Sequence, residues 1–362
     1  MDLIPAIYYN NINLIIILFL TLVIIPKYRR MNGNRGVVAN NSSAELLIVV
    51  FFILFIGTRP ISEVFADMPQ YLGWYDRWIG EYRFSIDEEN FIYDNLMYYC
   101  ASVHFPPILY YVMIAAVYYG CTYLACRKMF SGNSAAAFVV FLAAFSTFSY
   151  GTNGIKAGAA ASIFLLALAY REKFWLSIVL AIVSFGFHHA MQLPLAAYVL
   201  TLFYKNPKVY FVAWGFCLLM AAAHVTTFQY LFAGLSDERG ANYLLSNDKG
   251  WGGKGGFRID FIIYSAMPVL VGYWAIYKKK LQLSKLYFNL LNMYLVTNGV
   301  WMLCMYVEYT NRIAYLSWFM FPIVLIYPFL NEDWGPSRYR TFVKVAWAHL
   351  VFTMFMSFVY YA

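Results

Sequence analysis

Asn11-Ile-Asn-Leu-Ile-Ile-Ile-Leu-Phe-Leu-Thr-Leu-Val-Ile-Ile-Pro-Lys-Tyr-Arg-Arg30 decides the fold class, because an apolar run is followed, and not preceded, by its basic residues. A cleavable secretory signal carries its positive charge ahead of the apolar stretch. The order seen here predicts a retained first helix across roughly 30 Å of hydrocarbon, with the N-terminus outside and Lys27, Arg29, Arg30 and Arg35 in the cytoplasm.

Composition extends this reading to the whole chain. With 62% apolar, 21% aromatic and 12% charged residues over 362 positions, there is too little polar surface to cover a water-soluble globule. The expected fold is an all-α polytopic membrane protein, one integral domain over residues 1–362. Apolar runs fall at 8–26, 44–58, 106–126, 134–150, 155–170, 174–188, 190–204, 209–228, 259–277, 286–307, 312–330 and 341–360, about twelve transmembrane helices in all, several of them shorter than the usual ~20 residues.

The net charge of +8 invites a nucleic-acid reading, but most of the excess sits where membrane topology requires it. Arg127 with Lys128, Arg171 with Lys173, Lys205 with Lys208, Lys278 to Lys285, and Arg338 to Lys344 all occupy alternate short loops, on the side of Lys27. No nucleic acid is needed to explain them. Two longer connections, about 59–105 and 229–258, are then extracytoplasmic. The first is acidic and rich in Trp and Tyr, which predicts an amphipathic helix at the headgroup level; the second contains Gly250-Trp-Gly-Gly-Lys-Gly-Gly256 and is expected to be mobile.

The cations that topology leaves unexplained are the candidates for chemistry, because a charge in or at the end of a span needs a partner or a task. Arg59, followed by Asp67 and Tyr71, reads either as a snorkelling anchor or as an anion clamp beside a carboxylate. Asn153-Gly-Ile-Lys156 opens a span, so an amide and an ammonium stand at a helix N-terminus that already favours anions. His188 and His189 end the run 174–188 as adjacent residues, which points their rings to different sides of a helix. Either one serves as a base or as a donor to phosphate, or both simply pack.

Arg258 with Asp260, and Glu308-Tyr309-Thr-Asn-Arg312, each combine an Arg with a carboxylate at the outer face. They read as interhelical salt bridges or as phosphate-binding forks. Other motifs carry less. The glycines around Lys254 lack the G-x-x-x-x-G-K-[ST] frame of a phosphate loop. Asp87-Glu-Glu89 is more simply a solvated acidic run than a metal site, and the five cysteines show no ligand spacing. No metal and no cofactor are expected.

In the same order along the chain stand Arg59, Asp67 and Tyr71; Asn153-Gly-Ile-Lys-Ala-Gly-Ala-Ala-Ala; Phe187-His188; Phe257-Arg-Ile-Asp-Phe-Ile-Ile-Tyr264; and Asn311-Arg-Ile-Ala-Tyr-Leu-Ser-Trp-Phe319. This series resembles the EpsG-like, Wzy-type polymerases of bacterial exopolysaccharide, capsule and O-antigen synthesis. Family members often read Gly-x-Asp and Arg-Gln where this chain has Phe65-Ala-Asp67 and Ile155-Lys156, so Lys156 must act as a point charge in place of a fork.

The resemblance implies a GT-C-like glycosyltransferase of the bacterial inner membrane, working on the extracytoplasmic side with undecaprenyl-diphosphate-linked oligosaccharide. Membrane lipids surround it, and a chain-length regulator and a flippase are implied partners. In such a reaction Arg59, Lys156, Arg258 and Arg312 stabilise the departing lipid diphosphate. His188 or Asp67 takes the acceptor proton, with His189 and Glu308 behind and Asn153, Tyr71, Asp260 and Tyr309 contacting substrate. The main rival is a lipid-linked oligosaccharide flippase, since many spans with unexplained cations also suit an anionic cargo.

Overall fold

Backbone N–H and C=O groups find no water in hydrocarbon, so an apolar run satisfies them internally as a helix. The computed structural model describes residues 4–30, 42–234 and 256–360, and among these the regular elements are all helical. Arg35, Lys254 and the glycine-rich stretch 250–255 lie outside the described residues, as does most of the second long connection.

Five described helices are long and apolar enough to cross a membrane: Ala6–Arg29, Pro107–Met129, Ile259–Lys278, Thr310–Leu330 and Arg338–Tyr360. Shorter apolar helices cover Ser42–Gly57, Ile155–Ala169, Phe174–Phe187, His189–Phe203 and Pro207–Ala222. The chain is a multi-pass helical membrane protein. Local chemistry sets the helix ends. Pro107 starts its helix where a missing N–H is harmless, and Arg127 and Lys128 fall in its last turn, where cations complement the dipole. Asn206 caps Pro207–Ala222 by accepting from the Lys208 N–H at 3.1 Å.

The apolar run 134–150 departs from the single span expected of it. It forms two short helices, Ser134–Leu142 and Thr147–Thr152. The carbonyls released at the break are taken by hydroxyls: Thr147 Oγ1 donates to Phe141 O at 2.6 Å and Thr353 Oγ1 to Ala143 O at 2.8 Å. A break in the membrane is tolerated where side chains re-satisfy the backbone in this way. The span Thr310–Leu330, as expected of the run 312–330, is continuous in length but has a turn at Phe319 and Met320 between Thr310–Trp318 and Phe321–Leu330.

Contacts gather the chain into two compact units. The first comprises Met1–Gln192, Phe329–Asn331 and Gly335–Ala362; the second comprises Leu193–Pro328 and Glu332–Trp334. In the first unit Pro107–Met129 packs on both Ser42–Gly57 and Ile155–Ala169, and the last of these on Phe174–Phe187. A Cβ on Gly57 would meet Val112 Cα at 2.6 Å, so glycine lets the backbones meet just before Arg59. Glu45, buried in the same unit, accepts from Tyr123 Oη at 3.1 Å and Ser134 Oγ at 2.8 Å.

In the second unit Pro207–Ala222 packs on Lys285–Leu303. Its core is aromatic: Tyr264 stacks on Phe321 with centroids 4.0 Å apart, and Phe261 meets Trp318 edge-on at 4.8 Å. The indoles are satisfied as buried tryptophans require. Trp318 Nε1 donates to Ser265 Oγ at 2.8 Å, Trp301 Nε1 to Thr310 Oγ1 at 3.0 Å, and Trp214 Nε1 to Asn298 Oδ1 at 2.9 Å.

Candidate active site

The segment after Gly57 builds one end of the first unit. Arg59 is only 1% exposed, and its guanidinium donates to Ile56 O at 2.7 Å and Thr152 O at 2.8 Å. These carbonyls belong to two helix C-terminal ends, where a cation is favoured. The group also lies over the Phe65 and Tyr111 rings, 5.5 and 5.7 Å from their centroids. Burial pulls it down to about 10, against the upward pull of the neighbouring tyrosines, led by Tyr111. Arg59 ties two helix ends together, and its Nε has no hydrogen-bond partner.

Ser62 caps the turn Glu63–Phe65, and Ala66 follows in the left-handed region at φ 41°. That turn delivers Asp67 to the start of helix Met68–Asp76. The helix is present as expected, but its tyrosines do not rest in the headgroups: Tyr71 and Tyr75 are buried, and Tyr75 Oη donates to Phe105 O at 2.5 Å.

Lys156 turns toward this aromatic helix. Its Nζ is 3.7 Å from Asp94 Oδ1 and lies over Trp74, Tyr93 and Tyr71 at 5.1, 5.4 and 5.9 Å. Burial raises the Asp94 carboxyl above its ordinary range, while Lys156 opposes that rise. Asn153, three residues earlier, faces a different space, beside Ala6, Asn10 and Phe65.

One turn before Asp94, the buried Asn90 joins this pair to the histidines. Helix Phe174–Phe187 ends before His188, whose backbone is extended, so the two rings are not splayed around a helix. They stack, with centroids 5.1 Å apart and planes 22° apart. The Ala190 N–H donates to His188 Nδ1 at 3.2 Å, which fixes that nitrogen as an acceptor and leaves the proton of the neutral ring on Nε2.

His189 has the opposite arrangement. Its backbone N–H donates to Asn90 Oδ1 at 3.3 Å, which orients the amide; Nδ1 lies 3.3 Å from the same oxygen and 4.0 Å from Glu89 Oε2. Facing two acceptors, Nδ1 carries the proton and Nε2 the lone pair. In their neutral forms His189 thus presents a lone pair at Nε2 and His188 an N–H. Glu89 reads in the sequence only as part of a solvated acidic run, and nothing local ties it, Asn90 or Asp94 to partners far along the chain. Glu88 is engaged elsewhere, with Arg83 Nη2 at 2.8 Å and Tyr98 Oη at 2.9 Å.

The second unit holds the other predicted group. Arg258 forks onto Asp260, Nε to Oδ1 at 2.9 Å and Nη2 to Oδ2 at 2.6 Å, with its Cζ 3.6 Å from the Phe261 centroid. The Arg258 backbone N–H meets Met305 Sδ at 3.2 Å, which sets this pair against the segment leading to Glu308. Tyr309 adopts the left-handed region at φ 49° and starts helix Thr310–Trp318. Arg312 is exposed, its Cζ 5.1 Å from the Tyr309 centroid. Sequence reasoning passed over His224, also left-handed and exposed, whose ring lies 4.0 Å from that of Tyr306. A lone His after an apolar helix gave no signal.

A scaffold of apolar helices, with charged groups and oriented histidines at helix ends, defines a multi-pass membrane protein. The chain belongs to the EpsG family, which it matches over residues 45–362. That match bears out the resemblance to Wzy-type, EpsG-like polysaccharide polymerases. No curated protein matches the chain, and no solved structure does.

Proposed function

We propose that this protein is an extracytoplasmic glycosyltransferase of the bacterial inner membrane that polymerises undecaprenyl-diphosphate-linked oligosaccharide repeat units into a surface polysaccharide. The observation that carries the reading is the family match across residues 45–362. A GT-C-like arrangement of about twelve spans and the outward placement of loop 59–105 belong to the same reading and rest on the charge pattern and the resemblance.

The growing glycan leaves one lipid diphosphate and bonds to a sugar hydroxyl of the incoming repeat unit, in a single inverting displacement. Charge grows on the departing diphosphate as the glycosidic bond breaks. Arg258 and Arg312 stabilise it more in the transition state than in the ground state. Asp260 holds the Arg258 fork in one orientation, and the Tyr309 ring lies beside Arg312. No metal is routed into this step.

His189 Nε2 accepts the hydroxyl proton, with Asn90 and Glu89 holding Nδ1; His188 Nε2–H donates to a substrate oxygen. Asp67 is the second candidate for the base, favoured by the left-handed Ala66 that sets its position. Lys156 and Arg59 act through the structure around these groups.

Purified protein in detergent, supplied with lipid-linked repeat units, tests the reading. A ladder of longer lipid-linked glycans is expected. A flippase has no membrane to work across there and leaves single repeats unchanged, as does a non-catalytic assembly subunit.

A further inference from the structure

Between helix Met68–Asp76 and a second helix, Phe91–Ser102, the non-helical stretch Tyr82-Arg-Phe-Ser-Ile86 leaves three large apolar side chains uncovered. Tyr82, Phe84 and Ile86 are 76, 56 and 74% exposed, while Arg83 and Ser85 between them are half-buried. A period of two is that of extended chain, so one face of the stretch is apolar throughout. Exposed Glu81 and Asp87 bound it at either end.

The opposite face is tied down. Arg83 Nη2 bonds Glu88 Oε1 at 2.8 Å, and its Cζ lies over the Trp78 and Tyr98 rings, 4.4 and 5.0 Å from their centroids. The one charge in the stretch is thereby paired and turned away from the apolar face. The Asn95 amide serves both main-chain groups of Ser85, accepting from its N–H at 2.9 Å and donating to its carbonyl at 2.8 Å, as a neighbouring strand would. Unpaired main-chain groups are costly to remove from water; those of Ser85 are already satisfied.

Helix Phe91–Ser102 sets the depth of this face. Asn90, just before it, meets His189 beyond the end of the helix that follows Lys173, and Ile92 packs closely on Gly186 of that helix. At its other end the Phe105 N–H bonds Cys100 O at 2.9 Å, two residues before Pro107 opens the helix whose last turn carries Arg127 and Lys128. Both ends of Phe91–Ser102 therefore lie where spans finish on the side away from their basic residues. The apolar stretch runs beside this helix: the Gly80 N–H bonds Ala101 O at 3.2 Å, and Phe84 meets Phe91 edge-on at 5.7 Å. That depth is the boundary between acyl chains and headgroups, which favours a tyrosine beside purely apolar side chains.

We infer that Tyr82, Phe84 and Ile86 enter the lipid leaflet on the His188–His189 side of the membrane and anchor that end of the first unit there. Phospholipid is the occupant the chemistry fits, because the face carries no charge to pair and ends in two acids that return the chain to water. A non-helical ledge thus takes the interfacial role expected of helix Met68–Asp76, whose tyrosines are buried. The inference stands apart from the polymerase reading.

The full-length protein in its cell membrane provides the test, with the photoreactive residue p-benzoylphenylalanine in place of Phe84, or in place of Asp87 as a control on the same segment. Membranes are irradiated, and the purified protein is analysed by mass spectrometry. Phospholipid adducts should be about fivefold more abundant from Phe84 than from Asp87, since an interfacial face sinks ~5–10 Å into the headgroup–acyl boundary. The same probe at Ile86 should match the result at Phe84, and keeps the test decisive if either variant fails to fold. Lipid adducts that are negligible at Phe84 and Ile86, or no more abundant than at Asp87, overturn the anchor. Cross-links from the apolar face to a protein, whether a second copy of this chain or another, overturn it in favour of a protein interface.

Discussion

The two units each hold an ion pair at the start of a helix, and the pairs are built in opposite ways. Arg258 and Asp260 are two residues apart and close both prongs of the fork, at 2.9 and 2.6 Å. Lys156 reaches Asp94 from a distant part of the chain, at 3.7 Å, with three aromatic rings around the ammonium. A local pair orders little chain beyond itself, so it contributes little to folding and mainly fixes the direction of a guanidinium. The long-range pair joins helix Phe91–Ser102 to helix Ile155–Ala169, and its loss is felt as loss of structure.

This contrast is sharpest at the arginines of the second unit. Arg312→Ala and Arg258→Ala should each lower elongation by about 10³-fold, the scale of a donor that meets transition-state charge, with little change in thermal stability. Single lipid-linked repeats should accumulate in cells. Polymer of normal length from either variant would remove that residue from the chemistry and with it the functional half of the comparison.

The histidines come next in size. His189→Gln should cost about 10²-fold in kcat, within the usual range for a general base. His188→Gln keeps a donor and should fall by less than about tenfold. Single-turnover elongation distinguishes them; a larger loss at His188 would reverse the tautomers drawn from Asn90 and Ala190.

How much of this was legible depends on the range of the interactions. The spans and the basic loops are written locally, in apolar runs and their flanking charges. So is Arg258-Ile-Asp260, whose partners are neighbours. The bond from His189 to Asn90 and the Lys156–Asp94 pair are tertiary facts with no local pattern. The break at 143–146 stays hidden for the same reason, since its residues are as apolar as the flanks and the hydroxyl that caps Ala143 comes from Thr353. Arg59 shows the limit from another side: its position at a span end is plain in the sequence, but its carbonyl partners are not. Arg59→Lys cannot donate to both Ile56 and Thr152 as a fork does, and should destabilise the protein by about 2 kcal/mol, read as a lower unfolding midpoint without a specific loss of kcat.

The smallest effect concerns Asp94, and its sign discriminates structure from catalysis. Because its folded-state carboxyl is raised by burial, the native protein holds that proton at a pH where the unfolded chain has released it. Stability from this group is therefore full below the unfolded value near 3.9 and declines as pH rises toward the raised folded value. The Lys156 ammonium limits the decline by favouring the carboxylate. Lys156→Met removes that limit, so its unfolding midpoint should fall more steeply above pH 4 than the wild type's. Asp94→Asn should abolish the slope and leave an unpaired ammonium, lowering the midpoint at every pH. A double variant, Lys156→Met with Asp94→Leu, should recover part of the loss, because two apolar groups replace an ion pair that burial had made expensive. Recovery of stability without recovery of elongation would assign the Lys156–Asp94 pair to substrate as well as to structure, and the contrast with Arg258 and Asp260 would no longer hold.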